Sequence, residues 1–180
     1  MDIVQRVKNI IVTPKTEWAV IDAEPATVES LYKSYIIPLS AIPAVIGFLG
    51  SLYFKSFFGA LIGSILSYVV GLGLIYVFAL IIDGLAPTFG GTKNMMSAFK
   101  VAAFSPTPIW VASILIIVPL LGFLVLLAAL VYTLYVLYLG LPLLMRAPDD
   151  KAVPYTALVV VAGLVVGIVV NFVIAMVAGI

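Results

Sequence analysis

The sequence predicts an all-α polytopic membrane protein, a bundle of five transmembrane helices preceded by a short N-terminal amphipathic segment. Three observations predict it. Of 180 residues 64% are hydrophobic and 9% charged, and the mean hydropathy is +1.30, far outside the range of soluble domains. Five apolar runs reach the about 20 residues that a helix needs to cross about 30 Å of hydrocarbon. When loops are counted alternately, Lys and Arg collect on one side.

Residues 1–33 form a polar prelude with four of the nine basic and five of the eight acidic residues. Ile3, Val4, Val7, Ile10 and Ile11 share one face at helical spacing, with Gln5, Arg6, Lys8 and Asn9 opposite. That pattern predicts a short helix lying in the membrane interface, ended by Pro14. The apolar residues near the start are interrupted by Arg6, Lys8 and Asn9 and no cleavage pattern follows, so the first span is expected to act as the insertion signal. Trp18 belongs to a second short segment, where its indole suits either headgroup depth or packing against the bundle.

The spans are expected at residues 34–53, 57–82, 98–118, 120–144 and 155–178. The first two form a hairpin around Lys55. A turn-rich loop follows the second, and a charged loop, Arg146 to Lys151, precedes the fifth. With the N-terminus in the cytoplasm, eight basic residues fall inside and only Lys55 outside, which places the C-terminus outside. All eight acidic residues share the inner face, so its charge cancels and no polybasic lipid-binding patch results.

Small residues at four-residue spacing allow helices to approach closely in lipid. Gly59, Gly63, Ser67 and Gly71 form such a stripe in the second span, as do Gly163, Gly167, Asn171, Ala175 and Gly179 in the fifth, within one chain or between copies. Asn171 reads as an interhelical hydrogen-bonding group or as part of a transport path. Asp83 and Lys100 lie near predicted membrane ends. Ser105-Pro106-Thr107-Pro108 interrupts the third span, because each proline removes a backbone donor. The outcome is either a kink or a full break, and in a full break Ser105 would be the N-cap and Pro106 the first helical residue. Tyr132, Tyr135 and Tyr138 recur in the fourth span and serve either aromatic packing or hydroxyl presentation.

Much chemistry is excluded. The chain has no cysteine and no histidine, which removes disulfides, thiolate and imidazole catalysis, and nearly every zinc or haem constellation. Gly90-Gly91-Thr92-Lys93 lacks the spacing of a phosphate loop. Ser105 and Lys100 are five residues apart and face different sides of a helix, and Asp83 has no carboxylate counterpart in another span. No enzymatic activity, cofactor or metal is expected. The near-neutral charge and the absence of a basic patch argue against nucleic acid.

Several segments in order carry a resemblance: Pro14-Lys15-Thr16-Glu17-Trp18, Phe89-Gly90-Gly91-Thr92-Lys93, Ser105-Pro106-Thr107-Pro108-Ile109-Trp110, Pro119-Leu120-Leu121-Gly122, Tyr135 to Met145, then Pro148 and Asp150-Lys151-Ala152. Over most of its length the chain resembles the bacterial branch of the Yip (Ypt-interacting protein) domain family. The resemblance implies five membrane helices, a cytoplasmic N-terminus and residence in a bacterial inner (cytoplasmic) membrane. Eukaryotic relatives associate with Rab-type GTPases, but this chain lacks their Asp-Leu-Tyr-Gly-Pro motif and long tail. The expected function is non-enzymatic organisation of the bilayer or scaffolding of partners. Membrane lipids, cytoplasmic-side proteins and further copies of the chain are the partner classes. The alternative is a small transporter or channel using the third span. Candidate path or interaction residues are Asp83, Lys93, Lys100, Ser105, Pro106, Tyr138 and Asn171.

Overall fold

The computed structural model describes residues 2–178, which form helices α1 (Ile3–Val12), α2 (Pro14–Ala23), α3 (Val28–Leu31), α4 (Ile37–Ser51), α5 (Phe57–Leu85), α6 (Met95–Phe104), α7 (Thr107–Ala112), α8 (Pro119–Met145) and α9 (Ala152–Ala178). Among the described residues there is no strand. Short tighter or wider turns join several helices end to end. The result is five elements long and apolar enough to cross a bilayer: Val28–Ser51, Phe57–Phe89, Met95–Ile117, Leu120–Met145 and Asp149–Ile174.

The first span starts on a reciprocal cap, in which Thr27 and Ser30 each accept from the other's backbone N–H, and a π-helical turn, Tyr32–Ile36, follows. That turn precedes Pro38, which cannot donate a backbone hydrogen bond. Tyr32 donates to the carbonyl of Leu72 at 2.8 Å, and Tyr68 to that of Ile37 at 2.7 Å, which ties the first span to the second.

The third span is the centre of the bundle. In the most apolar 18-residue stretch of each span, 56% of the residues are buried here, against 6–22% in the other four. Its small residues explain why: Ala98, Ala102 and Ala103 are fully enclosed and let neighbours approach α6 on several sides. The outward faces of α5, α8 and α9 remain apolar and exposed, as lipid contact requires.

The Ser-Pro-Thr-Pro interruption is a tight kink between two helices. Ser105 and Pro106 both keep right-handed helical angles. Ser105 therefore does not take the extended conformation of an N-cap, and α7 begins with no side-chain cap. Pro108 cannot donate to the carbonyl of Phe104; the Thr107 hydroxyl does so instead at 2.6 Å. The Thr107 oxygen is also 2.7 Å from the Tyr35 hydroxyl, so the kink is pinned to the first span.

The loops at one end of the bundle interlock. Thr92 donates its backbone N–H to the carbonyl of Met145 at 2.8 Å, and Gly91 sits so close to that oxygen that a Cβ would lie 2.8 Å from it. Gly90 takes a φ of 74°, a left-handed conformation that suits glycine. Phe89 stacks on Tyr155 with ring centres 4.9 Å apart. Arg146 ends α8 in the left-handed region and pairs with Asp22 at 2.7 Å. These contacts bring both charged loops to the end that holds the N-terminal helices, while Lys55 lies at the other.

Helices α1 and α2 stand along the bundle rather than lying flat across it. Asp22 meets Arg146 at the end of α8, Trp18 donates to the carbonyl of Val136 at 3.0 Å, and Tyr132 donates to that of Ile11 at 2.8 Å. Tyr132 and Arg146 are separated by about 21 Å of helix axis at 1.5 Å per residue. The amphipathic segment is thus half of a helical hairpin, and its inner face includes Arg6 as well as Ile10.

Candidate functional site

The hairpin meets the bundle at a cluster of buried charge. Arg6 is completely enclosed, and its guanidinium donates to the carboxylates of Glu17 and Glu24. The second carboxylate oxygen of Glu17 accepts from the Asn9 amide at 2.9 Å. Phe104 presents its ring face to the guanidinium, 5.6 Å from ring centre to the central carbon. Helical spacing assembles the cluster. Arg6 and Asn9 are three apart on α1, and Glu17 shares the inner face of α2 with the buried Trp18 and Ile21.

Lys100 reaches the same junction from α6. Its ammonium donates to the carbonyls of Ile21 (2.7 Å), Asp22 (3.1 Å) and Glu24 (2.7 Å). These carbonyls lie at the C-terminal end of α2, where backbone acceptors lack helical partners and the helix dipole is negative. A cavity of ≈ 240 Å³ lies at this junction, lined by Arg6, Glu24, Ser34, Tyr35 and Lys100 among others. Replacing Lys100 with methionine leaves these carbonyls without their donor and is expected to cost about 1–3 kcal/mol. Thermal unfolding in detergent measures it; an unchanged midpoint would contradict the capping role.

Trp18 anchors α2 mechanically. It is 1% exposed and lies flat against Gly140, where a Cβ would come within 2.6 Å of two ring carbons. Its edge meets Phe104 with ring centres 6.5 Å apart. The indole therefore packs against the bundle, the second of the two uses considered for it.

The remaining residues singled out in the sequence are dispersed. Asp83 is half-buried near Tyr155, whose hydroxyl donates to the carbonyl of Ile82 at 2.5 Å, and one Asp83 carboxylate oxygen is enclosed without a partner. Lys93 is exposed in the loop before α6, which Asn94 caps by accepting from Met96 and Ser97. Tyr138 is half-buried, and Ser105 and Pro106 lie at the kink. Asn171 is exposed and its amide donates to the carbonyl of Gly167, within its own helix, at 2.9 Å. Among the described residues its hydrogen bond stays within its own helix rather than crossing to another. In its stripe, Gly163 packs against Phe78 of α5, Gly167 faces open space, Gly179 lies outside the described residues, and the side chain of Ala175 is likewise not described. The stripe of α5 borders an open groove of ≈ 820 Å³ beside α4, and a Cβ added at Gly63 or Gly71 would meet nothing within 4 Å.

Sequence inspection missed Glu17, Glu24 and Asn9 as members of one cluster and placed Arg6 on a solvated face. One signal was present. Glu17 is next to Trp18 and four before Ile21 on one helical face, so a buried Trp18 would bring a carboxylate inside that needs a cation.

A five-span bundle with its charges gathered at one end, and with an N-terminal hairpin clamped to a kinked central span, defines a small polytopic membrane protein. Among the described residues no three His, Cys, Asp or Glu side chains group in a way that could hold a metal. The chain belongs to the Yip1 domain family, whose model matches residues 8–170. It is 24% identical over 166 residues to the inner membrane protein YohC of Escherichia coli strain K12, covering 85% of each chain, and equally to YohC of Escherichia coli O6:H1. No solved structure matches it.

Proposed function

We propose that this protein is a non-catalytic scaffold of a bacterial cytoplasmic membrane, and that the α1–α2 hairpin, on the cytoplasmic side, presents the surface to which a protein partner docks. One observation carries this: the hairpin is held by an ionic cluster centred on the fully enclosed Arg6, an arrangement that apolar residues of similar volume can often replace at little cost in stability. Such a cluster fixes orientation, and a fixed orientation matters for a presented surface. On the outer side of α1, Val4, Lys8 and Val12 recur every four residues, the valines 70% and 65% exposed. The relatives' description as inner membrane proteins supports the location.

The transport alternative draws less support. Asp83, Lys100, Ser105 and Asn171 do not line one path: Lys100 is engaged by α2, and Asn171 bonds its own helix on an exposed face.

Photo-crosslinkers introduced at Val4 and Val12 in native membranes are expected to capture one discrete partner. Val12→Glu should abolish capture from the crosslinker at Val4, and Val4→Glu capture from the one at Val12, without lowering thermal stability. Capture unchanged by the two glutamates, or none at either position, would contradict the proposal. Flux through proteoliposomes that is lost on Lys100→Ala would favour transport. Orientation is tested separately, since the chain has no native cysteine: Lys93→Cys and Lys151→Cys should resist an impermeant reagent added outside, and Lys55→Cys should react. Labelling of Lys93→Cys from outside would invert the topology.

A further inference from the structure

A second cavity, of ≈ 310 Å³, lies between α5, α6, α8 and α9, away from the hairpin. Its size is at the lower end of those that hold small ligands. Its lining is apolar and carries no charged side chain, with two exceptions to its apolar character, the hydroxyls of Ser105 and Thr133. Both oxygens are shielded from solvent and have no hydrogen-bond partner, and Ser105 as a whole is only 2% exposed. Elsewhere in the spans Ser34, Ser40, Ser51, Thr107, Ser113 and Thr156 turn their hydroxyls back onto a carbonyl three or four residues earlier. Two hydroxyls that forgo this bond and line the same cavity mark a place where a partner is missing.

Pro106 adds to the polarity, because it cannot supply the backbone donor four residues on from the carbonyl of Ala102, which also lines the cavity.

Depth and charge define the occupant. Ser105 lies about 15 Å along the third span from Met95, and Thr133 about 18 Å from Met145 at the end of α8, so the site is well inside the bundle and away from its charged end. A charged headgroup is costly at that depth, and no side chain there would neutralise it. A saturated acyl chain would fill the space but leave both hydroxyls unpaired. A lone water needs two to four polar partners and would leave the apolar remainder empty. Leu134 and Leu164, which line the cavity, are themselves exposed, so it is continuous with the lipid-facing surface.

The geometry points to a binding site for a neutral lipid whose polar part is uncharged oxygen, at least one carbonyl or hydroxyl, on a hydrocarbon body, with one such oxygen hydrogen-bonded by Ser105 and Thr133. A quinone, an isoprenoid alcohol and a diacylglycerol share this chemistry.

The full chain in phosphatidylcholine nanodiscs is titrated with labelled decylubiquinone, farnesol and dioleoylglycerol. At least one is expected to bind saturably at one per chain, and the order among the three identifies the source. Ser105→Ala with Thr133→Val should weaken binding about tenfold to thirtyfold, the loss of two hydrogen bonds. Gly167→Leu should abolish it by filling the cavity, since a Cβ at Gly167 would meet nothing within 4 Å and the backbone there need not move. Removing an unpaired buried hydroxyl should leave the melting midpoint of Ser105→Ala at or above that of the parent chain, which separates lost binding from lost folding. Binding of none of the three probes, equal binding by the double variant, or equal displacement by saturated phosphatidylcholine would each overturn the assignment.

Discussion

Arg6→Met is expected to destabilise the protein by about 3–5 kcal/mol, because it strands the Glu17 carboxylate in an enclosed site without its cation. The size of the loss comes from the charge left behind more than from the bond removed. A lone exposed ion pair contributes under about 1 kcal/mol, and Lys33 with Glu29, both largely exposed, illustrates that case. The same logic predicts a rescue. Arg6→Met combined with Glu17→Leu removes both buried charges and should recover most of the lost stability, since Glu24 is 41% exposed at its side chain and can turn to water. Thermal denaturation in detergent with intrinsic tryptophan fluorescence reads both variants. A single variant that melts with the parent chain, or a double variant no better than the single, would show that the cluster is not enclosed as described.

The second large effect is expected at Trp18. Trp18→Ala empties a site that is 1% exposed and also removes the donor to the Val136 carbonyl, at a cost of about 3–5 kcal/mol. The loss should be local. With its anchor gone, the side-chain bond that remains between α2 and α8 is the Arg146–Asp22 ion pair, with one partner well exposed. Limited proteolysis should then cut within residues 1–24 while the spans stay intact. Gly140→Leu approaches the same contact from the other side, as its side chain would occupy the space of the indole ring. Protease resistance of both variants equal to that of the parent chain would mean that the hairpin is secured elsewhere.

The two results would locate stability where the sequence is hardest to interpret. The spans are legible because crossing a bilayer is a local requirement: a run such as Leu120–Met145 announces itself by length and hydropathy without reference to any other segment. The kink at Ser105 and Pro106 is legible for a similar reason, as proline acts on its own backbone. Arg6 is different. On α1 alone it belongs to the polar side, and only the arrival of Glu17, Glu24 and Phe104 from later segments makes its burial tolerable. Lys100 shows the same dependence, since its partners are carbonyls 76 to 79 residues earlier in the chain. Backbone acceptors at the end of a helix have no side-chain signature. Asn171 was ambiguous for the opposite reason: an amide in a small-residue stripe suggests a neighbour, yet its own preceding turn satisfies it.

The central position of the third span bears on how the protein is made. It is the most enclosed of the five, yet its hydropathy of 1.6 lies well below the 2.5–2.9 of the second, fourth and fifth. A segment with two internal prolines and a lysine partitions poorly into lipid as a lone helix. During synthesis it leaves the ribosome before the fourth and fifth spans that will enclose it. Its hold in the bilayer is then completed only when the fourth span arrives, because the hairpin that receives Lys100 is itself anchored on α8 through Trp18, Ile11 and Asp22, so the first and fourth segments of the chain close on the middle one together.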